Sequence, residues 1–343
     1  MKNIYWAIRL CVLLQVFAVV AVTQEQQFAN IGDLRLQNGG VIRDCRVGYR
    51  TFGKLATDKS NVIVFATWAS GTTEQLKSSI GPGKLIDTST YYVVAIDALA
   101  NGVSSSPSNS RLQPRMRFPK FTLRDTVESQ HELLTKVLKI ERVKAIVGIS
   151  MGGMQVFQWL VTYPEFMEKA IPIVGTPRPA PYDVLLWETQ IEALMRDRDW
   201  RGGNYSVNPA RTLDFAFGEL LLTTPTDYNR RKTREQVLAD LAKARSEKRF
   251  DANDKIRQVQ AMLALDVSRE FGGSLERAAQ TVKAKVFVVV ARLDHVVTPG
   301  PATEFATLLG AKLLNLDGDC GHLATACESQ RLAKAVADFL TAD

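Results

Sequence analysis

Ser150 stands in Gly148-Ile149-Ser150-Met151-Gly152, directly after the apolar run Val143 to Val147. A run of strand character meets Gly-x-Ser-x-Gly, and Met154 to Tyr163 reads as a helix closed by Pro164. That is the setting of a nucleophile elbow, a turn so tight that side chains at Gly148 and Gly152 would strike neighbouring backbone. Ser150 is then held in a strained conformation with its hydroxyl exposed. The helix beginning behind it turns unpaired N–H groups and a positive dipole end toward any oxyanion formed there, so the Met151 N–H is a natural oxyanion donor. The competing reading is a glycine-rich loop with an incidental serine, and the strand before and helix after argue against it.

A serine hydroxyl becomes a useful nucleophile when a base takes its proton and a carboxylate fixes the base's tautomer. The chain has three histidines. In an elbow fold the chain order is Ser, acid, His, which excludes His131; that residue is expected on the polar side of a helix. His295 directly follows the best acid candidate, Asp294, and adjacent residues at a strand end point in different directions. His322 remains, in Asp317-Gly318-Asp319-Cys320-Gly321-His322, a loop whose glycines let an imidazole swing over the sheet edge. Asp294 ends a strand-like Val-Val-Val-Ala-Arg-Leu-Asp and is preferred as the acid over Asp317 and Asp319, which would have to curl back on their own loop. A purely structural histidine is the alternative at 322.

The elements that must position these residues follow in order. Residues 28 to 51 carry a hairpin signal around Asn38-Gly39-Gly40. Asn61 to Ala66 is a buried-type strand emptying into Thr67-Trp68-Ala69-Ser70-Gly71-Thr72, and the second oxyanion N–H is expected from that loop, at Ala69, with Trp68 as the neighbouring choice. Tyr91 to Asp97 and Ala170 to Val174 are further strands, and Thr126 to Ile140 is helical. Between Gly175 and the strand Val286 to Ala291 lie roughly 110 residues with helical stretches at 182–196, 212–222, 233–245 and 254–265, far more than one crossover needs. A helix at 302–309, a strand at 312–316 and a helix at 328–340 close the chain. The pattern predicts an α/β fold, a mostly parallel sheet with helices on both faces and a helical cap inserted after the strand that follows the elbow helix. The expected divisions are a signal peptide at 1–23, core at 24–174, cap at 175–283 and core again at 284–343.

Composition, with 46% apolar and 23% charged residues over 343, is that of an ordinary globular chain. Lys2 and Arg9 precede an apolar stretch, Leu10 to Val22, and then polar Thr23 to Gln27, the layout of a secretory signal with small residues at Val19-x-Ala21 for cleavage. Thirteen residues are short for a permanent anchor, so no stable membrane insertion is expected after signal removal, and the location expected is periplasmic or secreted. A retained N-terminal anchor is the alternative. Setting aside Lys2 and Arg9 leaves 41 basic against 36 acidic residues, a formal charge of +5. The basic runs at 230–232 and 243–249 sit among acids without interleaved aromatics, which argues against a nucleic-acid partner. Cys45, Cys320 and Cys327 permit at most one internal bridge; Cys320 and Cys327 flank one loop and are the pair to consider, with buried free thiols as the alternative. No Cys/His spacing resembles a metal site, and no cofactor is expected.

With these residues in place, the chain from about Arg43 onward resembles the α/β-hydrolase superfamily and, within it, the homoserine O-acetyltransferase family. The resemblance is carried by Ile80-Gly81-Pro82-Gly83 with Asp87-Thr88, by Gly-Ile-Ser-Met-Gly-Gly-Met-Gln with Trp159 and Tyr163-Pro164-Glu165, and by Arg249-Phe250-Asp251-Ala252-Asn253. It implies that Ser150, Asp294 and His322 fall on nucleophile, acid and base. Two departures bear on activity. Where the acetyltransferases follow the histidine with an aspartate that helps hold the acceptor, this chain has Leu323; where their cap has Gln-Arg-x-Ala-Ile, it has Gln190-Ile191-Glu192-Ala193-Leu194. The expected activity is hydrolysis of a small-molecule ester or acyl substrate through an acyl-serine. The alternative is acyl transfer to a small alcohol or amine.

Overall fold

A computed structural model of the chain describes residues 24–247 and 250–342; the expected signal segment lies outside the described residues. Among the described residues ten strands form two sheets: β1 (Gln27–Asn30), β2 (Leu34–Arg35), β3 (Val41–Ile42), β4 (Arg46–Phe52), β5 (Val62–Ala66), β6 (Tyr92–Ile96), β7 (Val143–Ile149), β8 (Met167–Ile173), β9 (Lys285–Ala291) and β10 (Lys312–Leu316). The main sheet runs β1-β4-β6-β5-β7-β8-β9-β10, while β2 and β3 pair by themselves as the hairpin expected around Asn38-Gly39-Gly40. β4 is antiparallel to both β1 and β6, and every pairing from β6 to β10 is parallel.

The middle of this sheet is covered on both faces, which is why β5, β6 and β9 read as near-continuous apolar runs instead of alternating ones. In β5, Val62 and Val64 face a core shared with Trp159 and Phe157, while Ile63 and Phe65 face the opposite core with Leu332 and Val336. The helices, in chain order, are α1 (Thr73–Leu76), α2 (Leu123–Glu132), α3 (Met151–Thr162), α4 (Pro181–Arg196), α5 (Arg211–Leu222), α6 (Pro225–Arg231), α7 (Arg234–Ala244), α8 (Ala252–Leu263), α9 (Leu275–Thr281), α10 (Gly300–Leu309), α11 (Ala324–Cys327) and α12 (Ser329–Thr341). Among the described residues no helix is long and apolar enough to cross a membrane.

The insertion between β8 and β9 holds two short α-helices beyond the four helical stretches expected. α6 and α9, seven residues each, are additional helices. Both are held by their caps: Thr224 and Ser274 accept the N–H groups of Asp227 and Arg277, and Pro225 at the first position of α6 is pre-set for a helix start. Neither is long enough to show an apolar period, so local capping was their only sequence signal. α5 buries none of its residues completely although it is mostly apolar. It lies as a wall over the site, with Phe217, Leu221 and Leu222 facing a cavity.

The sheet places the site by its connectivity. The chain leaves β5 toward β6 on one side and returns to β7 on the other, so β5 and β7 are neighbours whose C-terminal loops diverge. A crevice opens where such a reversal occurs, and the loop 67–72 and the turn at Ser150 both rise into it.

Candidate active site

The turn at Ser150 is as tight as its glycines predict. A Cβ at Gly148 would lie 2.2 Å from the Gly152 carbonyl, and one at Gly152 would lie 2.5 Å from the Ala66 oxygen. Ser150 has φ 58° and ψ −122°, a left-handed backbone that costs about 1–3 kcal/mol for a residue with a side chain. It is held there by its N–H, which donates to Ile173 O at 2.9 Å, and by its own carbonyl, which accepts from Met154 N–H at 3.0 Å. α3 starts at Met151, three residues before the apolar stretch that suggested it, because Gly152 and Gly153 let its first turn lie directly against the ends of β5 and β8.

The structure brings Ser150, His322 and Asp294 together. His322 Nε2 is 2.9 Å from Ser150 Oγ, and His322 Nδ1 is 2.6 Å from Asp294 Oδ2. Asp294 follows β9, and its other oxygen accepts the N–H groups of Val296 and Val297 at 2.8 and 3.0 Å. Both its oxygens are therefore committed, and the carboxylate cannot turn away from the imidazole. His322 follows Gly321, whose φ of +63° carries the chain over the sheet edge; a Cβ there would press on the Thr223 backbone at 3.3 Å. The loop is tied twice more. Thr224 donates to Asp319 O, and Cys320 is bridged to Cys327, so the pairing left open by the sequence is a disulfide across the turn that carries His322.

The other candidates lie apart. His295 Nε2 faces Leu220 O at 3.1 Å. Asp319 is paired to Arg230 at 2.8 Å, and Asp317 lies on the surface near Arg292. His131 corrects the expectation of a polar helix face: its ring stacks on Tyr163 at 3.9 Å and borders Trp159 and Phe166, and burial lowers its pKa. The aromatic residues sit on α3 and the turn after it, so α2's periodicity alone could not reveal that packing. Cys45 is a buried free thiol whose pKa burial pushes up to about 12, which leaves it unreactive.

Of the two expected oxyanion donors, the Met151 N–H opens α3 and the Ala69 N–H lies in the loop after β5. Among the described residues neither finds a protein acceptor. Trp68, Ala69 and Ser150 line one cavity of about 700 Å³ together with His322, Leu323 and residues from α4, α5 and α8. Its walls are mainly apolar. Among the polar residues of the wall that escaped the sequence reading, two come from α8: Lys255, ion-paired to Asp214, and Gln258. Nothing in the periodicity of α8 separates them from solvent-facing side chains. Leu323 lines the cavity beside His322, and Gln190 lines it from α4.

The sequence matches the alpha/beta hydrolase fold family over residues 74–325, a stretch running from α1 past His322. The chain belongs to the alpha/beta hydrolase fold family. Among alpha/beta hydrolases it is similar to the ethyl acetate hydrolase of Pseudomonas veronii, 32% identical over 87% of this chain and 90% of that protein. A solved acetylester hydrolase from Corynebacterium glutamicum superposes with a TM-score of 0.87 at 29% identity, covering 93% of this chain and 96% of the other. The homoserine O-acetyltransferase of Bacillus anthracis superposes with a TM-score of 0.80 at 26% identity, covering 93% of this chain and 98% of the other, so the likeness to that family holds as well.

Proposed function

We propose that this protein hydrolyses small carboxylic esters through an acyl-Ser150 intermediate. The observation that carries the reading is the unbroken hydrogen-bonded line from Ser150 through His322 to Asp294 at the wall of an apolar cavity. His322 Nε2 takes the Ser150 proton as Oγ attacks the ester carbonyl carbon, and Asp294 holds the proton on Nδ1 and stabilises the imidazolium. The carbonyl oxygen becomes an oxyanion stabilised by the Met151 and Ala69 N–H groups. As the intermediate collapses, the C–O bond to the alcohol breaks and His322 returns the proton to the leaving oxygen. A water molecule, deprotonated by the same histidine, then attacks the acyl-serine, and the carboxylic acid leaves as Ser150 regains its proton.

The similarity to an ethyl acetate hydrolase and an acetylester hydrolase supports a short acyl group. Hydrolysis is favoured over transfer by the cavity wall. An acceptor must exceed water's concentration advantage, which requires polar groups dedicated to it. Leu323 presents an apolar side chain beside His322, and the Lys255 ammonium is engaged by Asp214. Purified protein should hydrolyse ethyl acetate or 4-nitrophenyl acetate and make no O-acetylhomoserine from acetyl-CoA and homoserine. Stoichiometric release of CoA with O-acetylhomoserine would overturn the hydrolase reading.

We further propose that the protein is exported, with mature chain beginning near Val22 to Glu25. The layout of residues 1–23 motivates this, and the Cys320–Cys327 bridge supports an oxidising compartment. Intact Met1 on protein from the native host, with all activity in the cytosol, would refute it.

A further inference from the structure

The loop after β5 carries an internal weakness. Gly71 N–H donates to Trp68 O at 3.0 Å, closing a four-residue turn with Ala69 and Ser70 at its centre, and Ser70 has φ 59°. Glycine or asparagine is favoured at that third position because other side chains are strained there. The turn is nonetheless held from outside. Ser70 N–H donates to Gln258 Oε1 at 2.7 Å, and Gln258 Nε2 donates to Leu99 O at 3.1 Å, so one buried amide from α8 ties together the loops that follow β5 and β6. Gln258 is 1% exposed and borders the cavity, with both ends of its amide satisfied by backbone.

α8 does not depend on Gln258 for its own attachment. One turn earlier Asp254 accepts from the N–H and hydroxyl of Ser108 at 2.9 and 2.5 Å. Arg257 donates to Phe118 O at 2.9 Å and to Met116 O at 2.8 Å. The helix is thus fixed to the core by neighbours, so the two hydrogen bonds of Gln258 serve the loops after β5 and β6.

We propose that Gln258 is a positioning residue of the oxyanion hole, the inserted helix α8 holding the peptide next to the Ala69 N–H where a developing oxyanion needs its donor. This rests on the acyl-Ser150 reading and on Ala69 as a donor. A donor displaced by a fraction of an ångström binds the ester ground state almost as well and the oxyanion much worse, so the effect belongs in kcat.

The test compares wild type with Gln258→Met, which removes both hydrogen bonds, and Gln258→Glu, which keeps an acceptor for the Ser70 N–H. Kinetics with 4-nitrophenyl acetate are paired with the inhibition constant of a methyl trifluoromethyl ketone, whose serine adduct is an oxyanion. Gln258→Met should lower kcat roughly ten- to a hundredfold with KM within about twofold, and weaken the ketone by about the same factor as kcat/KM falls. Gln258→Glu should fall between Met and wild type. A purely structural glutamine would lower the unfolding midpoint and leave the ketone affinity unchanged. Should Gln258→Met fail to fold, Gln258→Glu carries the comparison. Variants within twofold of wild type in both kcat and ketone affinity overturn the inference. A wild type that neither turns over esters nor binds the ketone overturns instead the reading of the site on which it rests.

Discussion

At the scale of single residues, Ser150, His322 and Asp294 form a chain in which each group is committed by its neighbour. Groups that act as a unit lose most of the rate when any one is removed. Ser150→Ala and His322→Ala should each reduce ester turnover on the order of a thousandfold or more, and Asp294→Asn should be comparably severe because it releases the imidazole tautomer. His295→Ala should stay near wild type, since that ring faces Leu220 O; a dead His295→Ala beside an active His322→Ala, read from steady-state kinetics, would reverse the assignment. These three residues were readable because their demands are local: glycines with no room for a Cβ, a strand-end carboxylate and a short list of histidines. Lys255 and Gln258 were not, because what makes them different is the wall they face, and that is set by residues far along the chain.

At the scale of elements, α8 is attached to the core by side chains that carry charge or amide groups, and one of them titrates. Burial raises the Asp254 carboxyl from 3.8 to about 8, against the opposing hydrogen bonds from Ser108. A folded-state pKa above the unfolded one means the native protein holds a proton that the unfolded chain has released. This contribution is therefore fully present below about pH 4 and is lost as pH rises toward 8, with a slope of at most about 1.4 kcal/mol per pH unit. Asp254→Asn keeps an acceptor for the Ser108 N–H and removes the titration. The stability of wild type minus that of Asp254→Asn, measured by urea unfolding across this range, should slope downward with pH; a flat difference would contradict the account. The central strands β5, β6 and β9 were legible because both-face burial leaves continuous apolar runs, whereas the four strands β1 to β4 showed only as one hairpin signal. The short α6 and α9 were not, because a seven-residue helix is specified by its cap and by what it packs against, and only the cap is local.

At the scale of the whole molecule, the order of strands explains why Ser150, Asp294 and His322 meet where they do: the reversal at β5 opens the crevice, the turn after β7 delivers Ser150, and the loops after β9 and β10 bring Asp294 and His322 to it from the far side of the sheet. The insertion between β8 and β9 roofs this crevice with apolar residues of α4, α5 and α8. That an insertion of this length existed was legible from the gap between two buried strands, whereas the wall it forms depends on helix packing that no local pattern encodes. The proposed reaction cleaves esters through a covalent bond to Ser150. Its most direct test is to mix purified protein with excess 4-nitrophenyl acetate, quench in acid within the first turnovers and locate the acetyl group by peptide mass spectrometry. An acetyl group is expected on the peptide containing Ser150 and absent from Ser150→Ala; turnover with acetyl on another residue, or undiminished turnover in Ser150→Ala, would rule out the acyl-Ser150 route.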